Sequence, residues 1–162
     1  MRMLFVCLGN ICRSPTAEGV LRHKLAAAGL DGEVEVESAG TGDWHVGNPP
    51  DRRATEAAAE RGIVLAGSAQ QIEAFHFDDF DLILAMDRQN LADLRLLAPD
   101  AEAGGKLHLF REFDPLAAQS GDLEVPDPYF GGADGFEEVL DMVERASDGL
   151  IAEIRSAPAT GA

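Results

Sequence analysis

The stretch that most limits the fold is Met3-Leu4-Phe5-Val6-Cys7-Leu8-Gly9-Asn10-Ile11-Cys12-Arg13-Ser14-Pro15. Its apolar run, Met3 to Leu8, is too short for a signal peptide or a membrane span and suits a strand covered on both faces. Arg13-Ser14-Pro15 then reads as the start of a helix. A strand that turns through glycine into a helix gathers the backbone N–H groups of Leu8 to Arg13 around one point. The helix dipole makes that point favourable for an anion such as phosphate. Cys7 lies at the base of this turn, where the same field favours a thiolate nucleophile. Arg13 carries a planar fork that can hold two phosphoryl oxygens at once. Gly9 and Asn10 tolerate backbone angles closed to other residues, and Ser14 can cap the helix and donate to the Cys7 sulfur. A cysteine and an arginine at this spacing are common by chance. The order of strand, glycine turn, Arg, Ser, Pro and helix gives each position a reason tied to anion binding.

The rest of the chain repeats the alternation of strand and helix. Pro15–Ala28 reads as a helix with Ala17, Val20, Leu21, Leu25 and Ala28 on one face, closed by Gly29. Glu33–Ser38 alternates polar and apolar, as a half-buried edge strand does. Residues 39–50 form an exposed loop around Trp44, whose ring, taken alone, reads as pinned against the surface. Asp51 caps a helix that runs through Arg61 and stops at Gly62, and 67–75 is expected to add a short helical turn. Phe80–Met86 fits a central parallel strand. Asp87 then reads as the N-cap of a helix with Leu91, Leu94 and Leu97 inward, a role preferred to one beside the Cys7 turn. Lys106–Phe110 is the fourth strand, with His108 packed or at the surface, and 111–132 is expected to be loop. Asp134 and Glu137 read as a capping box for a long helix whose inward face is Phe136, Val139, Leu140, Val143, Ser147, Leu150, Ile151 and Ile154.

This layout predicts an α/β fold: three layers, α/β/α, around a four-stranded parallel sheet of order 2-1-3-4, with the phosphate-binding loop between strand 1 and helix 1. Residues 1–156 form the single domain, and 157–162 are expected to be a disordered tail. Ligands of such sheets bind at the carboxyl ends of the strands. Both the Cys7 turn and the Asp127 loop leave from that edge. Displacement at phosphorus requires a proton for the departing oxygen, and Asp127 is the best-placed acid, although an Asp between prolines is also an ordinary turn.

Charge and composition exclude other classes. The net charge of −16, from 13 basic and 29 acidic residues, argues against nucleic acid or an anionic membrane as partner. Two cysteines, with His23, His45, His76 and His108 at no ligand-like spacing, predict no metal and no cofactor. A cytoplasmic protein is expected, as a monomer or weak dimer.

The motif Cys7 to Pro15, the stretch Ser38-Ala39-Gly40-Thr41, the segment Met86-Asp87-Arg88 and Asp127-Pro128-Tyr129 resemble those of the low-molecular-weight protein tyrosine phosphatases, in the family's order and nearly end to end. The resemblance implies a hydrolase of phosphotyrosine in proteins. Cys7 would attack phosphorus, Arg13 clamp the phosphoryl oxygens and Asp127 protonate the leaving phenolate, passing through a phosphocysteine. Leu8, Gly9, Asn10, Ile11, Cys12 and Ser14 would line the phosphate loop, with Trp44 and Tyr129 as walls of the phenol slot. It also implies that Cys12 can pair reversibly with Cys7 and shield it from deeper oxidation. Two positions depart from the family. Phe130 stands where a second tyrosine is frequent, and Gly67 lies where many members place a histidine that holds the loop asparagine, so support for Asn10 is expected from Ser14 and Ser38. Among relatives of the same architecture, arginine phosphatases tend to have threonine at the position of Ile11, and arsenate reductases need a later cysteine that is missing after Cys12. Arg13 and a distant acid argue against a cysteine phosphocarrier, and an anion-binding domain without hydrolase activity is the last alternative, which steady turnover of p-nitrophenyl phosphate would separate.

Overall fold

Strand β1 (Arg2–Cys7) forms because Met3 to Cys7 are all buried, which only an interior strand allows. It pairs in parallel with β2 (Glu35–Gly40) on one side and β3 (Leu82–Ala85) on the other, and β3 pairs with β4 (Leu107–Leu109). The sheet order is β2-β1-β3-β4, as expected. The structure, a computed structural model, describes residues 1–157. Of the expected tail, 158–162 lies outside the described residues.

The two faces of the sheet are covered separately. Met3, Phe5, Cys7, Leu84 and Met86 pack under α1 (Arg13–Ala27), α2 (Arg52–Glu60) and the long α7 (Ala133–Ser156). Leu4, Val6, Ile83 and Ala85 pack under α3 (His76–Asp79), α4 (Arg88–Leu97) and α5 (Ala101–Gly104). Alternation along each strand produces this division. On α7, residues 136, 139, 140, 143, 147, 150 and 151 are buried and Ile154 half-buried. No helix among the described residues is long and apolar enough to cross a membrane.

Several local expectations are corrected. The edge strand begins and ends two residues later than its alternation predicts, because it follows the register of β1, from Arg2 opposite Glu35 to Cys7 opposite Gly40. Residues 67–75 form no helix. Gln71 bridges to Gly40, and the helical turn comes later, as α3. The presumed loop after β4 holds a 3-10 turn (Phe110–Phe113) and α6 (Pro115–Ser120), which Asp114 caps by accepting from the Leu116 N–H. α5 was not foreseen, although Asp100 caps it. The capping box on α7 is absent: its N-cap is Gly132, with no side-chain cap. Glu137 instead pairs with Arg61 at 2.6 Å, where Asp141 and Glu144 also meet the guanidinium.

At its C-terminal half α7 crosses the 3-10 turn at Gly149, where a Cβ would fall 1.7 Å from the Phe113 carbonyl oxygen. The obstacle is backbone and cannot swing aside. Gly149→Ala is therefore expected to cost about 3 kcal/mol in urea unfolding; a loss under about 0.5 kcal/mol would show that α7 does not approach the turn so closely.

Candidate active site

Three strand ends meet at one edge of the sheet. β1 ends at Cys7, β2 at Gly40 and β3 at Ala85, where the Met86 N–H donates to the Val6 carbonyl at 3.1 Å. The turn after Cys7 is held from outside: the Cys7, Leu8 and Ile11 carbonyls accept from the Thr41, Gly42 and Asp51 N–H groups at 2.7–2.9 Å. Its Cys12 carbonyl accepts from the Thr16 N–H and hydroxyl. The left-handed angle falls on Asn10 (φ 57°) and not on Gly9. Gly9 serves another need, since a Cβ there would lie 3.0 Å from the His45 ring.

The Cys7 sulfur is 2% exposed as a residue and accepts from the Asn10 N–H at 3.3 Å, with the Ser14 hydroxyl 3.0 Å away. Ser14 does not cap α1. The N-cap is Cys12, without a side-chain bond, and the Ser14 hydroxyl turns inward because it lies one residue inside the helix. Asn10 spans the back of the turn, donating to Ser14 and Ser38 and accepting from the Gln70 N–H at 3.0 Å. The two serines thus support Asn10 as expected, and Gln70 adds a backbone donor that no local signal announced.

Arg13, its side chain 4% exposed, donates to Asp87 at 2.6 Å and to the Val125 carbonyl at 3.1 Å. Asp127 lies 3.7 Å from its other nitrogen. Burial lowers the Arg13 pKa, and the charges of Cys7, Asp87 and Asp127 with the Asp87 hydrogen bond outweigh it, so the net shift is upward. Asp87 does cap α4, accepting from the Asn90 N–H at 2.7 Å. Its second oxygen holds Arg13, so the role ranked lower in the sequence is also filled. Asp127 reaches the site because the Val125 N–H bonds the Met86 carbonyl at 2.7 Å, anchoring the loop to the β3 edge. One Asp127 oxygen accepts from the Tyr129 N–H.

A cavity of about 140 Å³ opens over this group. Cys7, Arg13 and Cys12 line its base with Leu8, Gly9 and Ile11, and Trp44, Asp127 and Tyr129 line its walls. Asn10 and Ser14, at 3% and 0% exposure, stand behind the turn and not in the cavity. His45 and Phe130 line it as well. Neither is expected from the sequence as a cavity wall: Phe130 stands out there only as a departure from the family and His45 only as a histidine without ligand-like spacing. Burial first, then the charges of Asp51, Cys7 and Asp127, push the Cys12 thiol up to about 12, so it is protonated at neutral pH.

The chain has clear relatives. A family model described as low molecular weight phosphotyrosine protein phosphatase matches residues 2–159. A low molecular weight protein-tyrosine-phosphatase of Streptomyces coelicolor is 50% identical over 154 residues, covering 95% of this chain and 93% of the relative. A crystal structure of a protein tyrosine phosphatase from Entamoeba histolytica, with Hepes in its active site, superposes with a TM-score of 0.90 at 35% identity, covering 96% and 97% of the two chains. A Drosophila arginine phosphatase superposes at 0.89 and 31% identity, covering 98% and 100%. A match that spans the strand edge, the cysteine turn and the acidic loop together settles the assignment: the chain belongs to the low molecular weight phosphotyrosine protein phosphatase family.

Proposed function

We propose that the protein hydrolyses phosphotyrosine in proteins through a phosphocysteine on Cys7, with residues 1–156 acting as one catalytic unit in the cytoplasm. The observation that carries this reading is the pairing of a sulfur that accepts from the Asn10 N–H and lies 3.0 Å from the Ser14 hydroxyl with a buried, pre-aligned guanidinium at the base of one cavity. In the first step the Cys7 thiolate forms a bond to phosphorus as the bond to the phenolic oxygen breaks. Arg13 and the amides of the turn hold the three non-bridging oxygens and tighten as charge shifts onto them. Asp127 gives its proton to the departing phenolate, which would otherwise leave with a pKa near 10. In the second step the ionised Asp127 takes a proton from water, the water oxygen bonds phosphorus, and the thiolate departs toward the Ser14 hydroxyl.

Between the two thiols the choice is electrostatic. Cys12 is held as a thiol by burial and neighbouring carboxylates, which leaves Cys7 as the nucleophile. The walls favour a flat ring: Trp44 is 69% and Phe130 92% exposed at the mouth, and Tyr129 stands 4.9 Å from Phe130. Apolar Ile11 at the cavity base offers a guanidinium no acceptor, so phosphotyrosine is preferred to phosphoarginine. The acidic surface supports protein substrates over nucleic acid.

With p-nitrophenyl phosphate or a phosphotyrosine peptide, Cys7→Ser is expected to lose at least about 10³-fold in kcat. Asp127→Ala should lose about 10²- to 10³-fold, and Cys12→Ser less than about tenfold. A Cys12→Ser loss as deep as that of Cys7→Ser would overturn the assignment of nucleophile, and a higher kcat/KM for a phosphoarginine peptide that of substrate. Iodoacetamide at pH 7 should label Cys7 and spare Cys12, as read by peptide mass spectrometry, with inorganic phosphate protecting Cys7.

A further inference from the structure

Tyr129 walls the cavity, yet its own loop does little to hold its ring. Its one hydrogen bond among the described residues runs from its backbone N–H to Asp127 at 3.0 Å. Two of its aromatic neighbours are loosely placed: His45 stands 6.2 Å away at a tilt, and Phe130, 92% exposed, 4.9 Å away. The firm neighbour is Arg53 of α2, whose guanidinium carbon lies 5.3 Å from the centre of the Tyr129 ring and 4.8 Å from that of Phe136. A cation over a ring face is drawn by the ring's quadrupole, and a planar guanidinium also stacks on it. Phe136 belongs to the buried face of α7, so it offers the guanidinium a fixed support.

Arg53 is itself anchored. Its Nε and Nη2 donate to the two oxygens of Asp51 at 3.2 and 3.1 Å, a fork-to-fork pairing that an ammonium does not make. Asp51 caps α2 by accepting from the Arg53 N–H at 2.8 Å, and its own N–H donates to the Ile11 carbonyl of the phosphate turn at 2.7 Å. An N-cap needs only one acceptor oxygen. The second Asp51 oxygen is thus free of the helix end, and it holds Arg53 against the two rings. Arg53 does not line the cavity, so whatever it contributes there passes through Tyr129.

We propose that Arg53 is a positioning residue: fixed by Asp51, it sets the Tyr129 ring as a wall of the phenol slot and ties that wall to the phosphate turn. The proposal rests on the cavity being the phosphotyrosine slot. A substrate's ring then meets a wall that need not be ordered on binding, and affinity rises by the ordering cost avoided.

The test reads the ring and the phosphoryl end separately. Methylphosphonate occupies only the phosphate turn and benzylphosphonate adds a ring, and each is measured as a competitive inhibitor of p-nitrophenyl phosphate hydrolysis. In the wild type the benzyl group is expected to tighten binding about tenfold or more. Arg53→Met should lose about fivefold of that preference, with the inhibition constant of methylphosphonate within about twofold of wild type. Arg53→Lys keeps the charge without the plane or the fork and should lose nearly as much. If it retains the full preference, charge alone acts and the positioning role falls. Asp51→Asn, still a good N-cap, should lose about threefold; an unchanged preference there would overturn the anchoring. Adding Arg53→Met to Tyr129→Leu should cost nothing further, whereas additive losses would overturn the link through Tyr129.

Tyr129 is the only tyrosine of the chain, so protein grown with fluorotyrosine carries a single fluorine resonance that reports on this ring. Arg53→Met is expected to shift and narrow that resonance toward the free amino acid, and an unchanged resonance would contradict the proposal. Should Arg53→Met fail to fold, Arg53→Lys and Asp51→Asn provide both readings. If the wild type gains nothing from the benzyl group, the slot reading fails first; if it gains and Arg53→Met gains as much, the Arg53 role alone fails.

Discussion

A guanidinium taken out of water must be given partners, and the way Arg13 is satisfied organises the site. Its partners come from separate parts of the chain: Asp87 after β3, and Val125 and Asp127 from the loop before α7. Removing one partner from a buried pair leaves an uncompensated charge, which is far more damaging than never having built the pair. Arg13 thus fastens three segments together while presenting the rest of its fork to the cavity. The pairing keeps a guanidinium and its N–H donors at the cavity base of a protein whose net charge is −16. At physiological salt, screening over about 8 Å leaves that local field in control of an arriving phosphoryl group.

The same local control separates two identical side chains. Cys7 and Cys12 both border the cavity, yet Cys12 is kept protonated by burial and by carboxylates, whereas Cys7 faces a hydroxyl and an amide N–H. The two thiols differ in their neighbours: the turn and α1 supply those of Cys7, and carboxylates lie near Cys12.

What was legible in the sequence was local. Apolar runs at Met3–Leu8 and Phe80–Met86 mark strands buried on both faces, and the glycine, Asn10 and Arg13 mark a turn shaped for an anion. What was hidden was long-range. Asp87 looks like a helix cap and is one, but a carboxylate has two oxygens, and only the fold shows that the second holds Arg13. Gln70 supports Asn10 through its backbone N–H, to which side-chain identity is irrelevant. The expected capping box failed for a related reason: Glu137 had a stronger partner in Arg61 than the helix end could offer.

Everything proposed for the catalytic cycle depends on a phosphoryl group passing through the Cys7 sulfur. The most direct measurement is rapid acid quench of the Asp127→Ala protein during turnover of p-nitrophenyl phosphate, followed by mass spectrometry of the peptide that spans residues 3–13. One phosphoryl group is expected on Cys7, accumulating because the water-activating carboxylate is missing. Phosphate on Cys12, or continued turnover with both sulfurs unmodified, would contradict it.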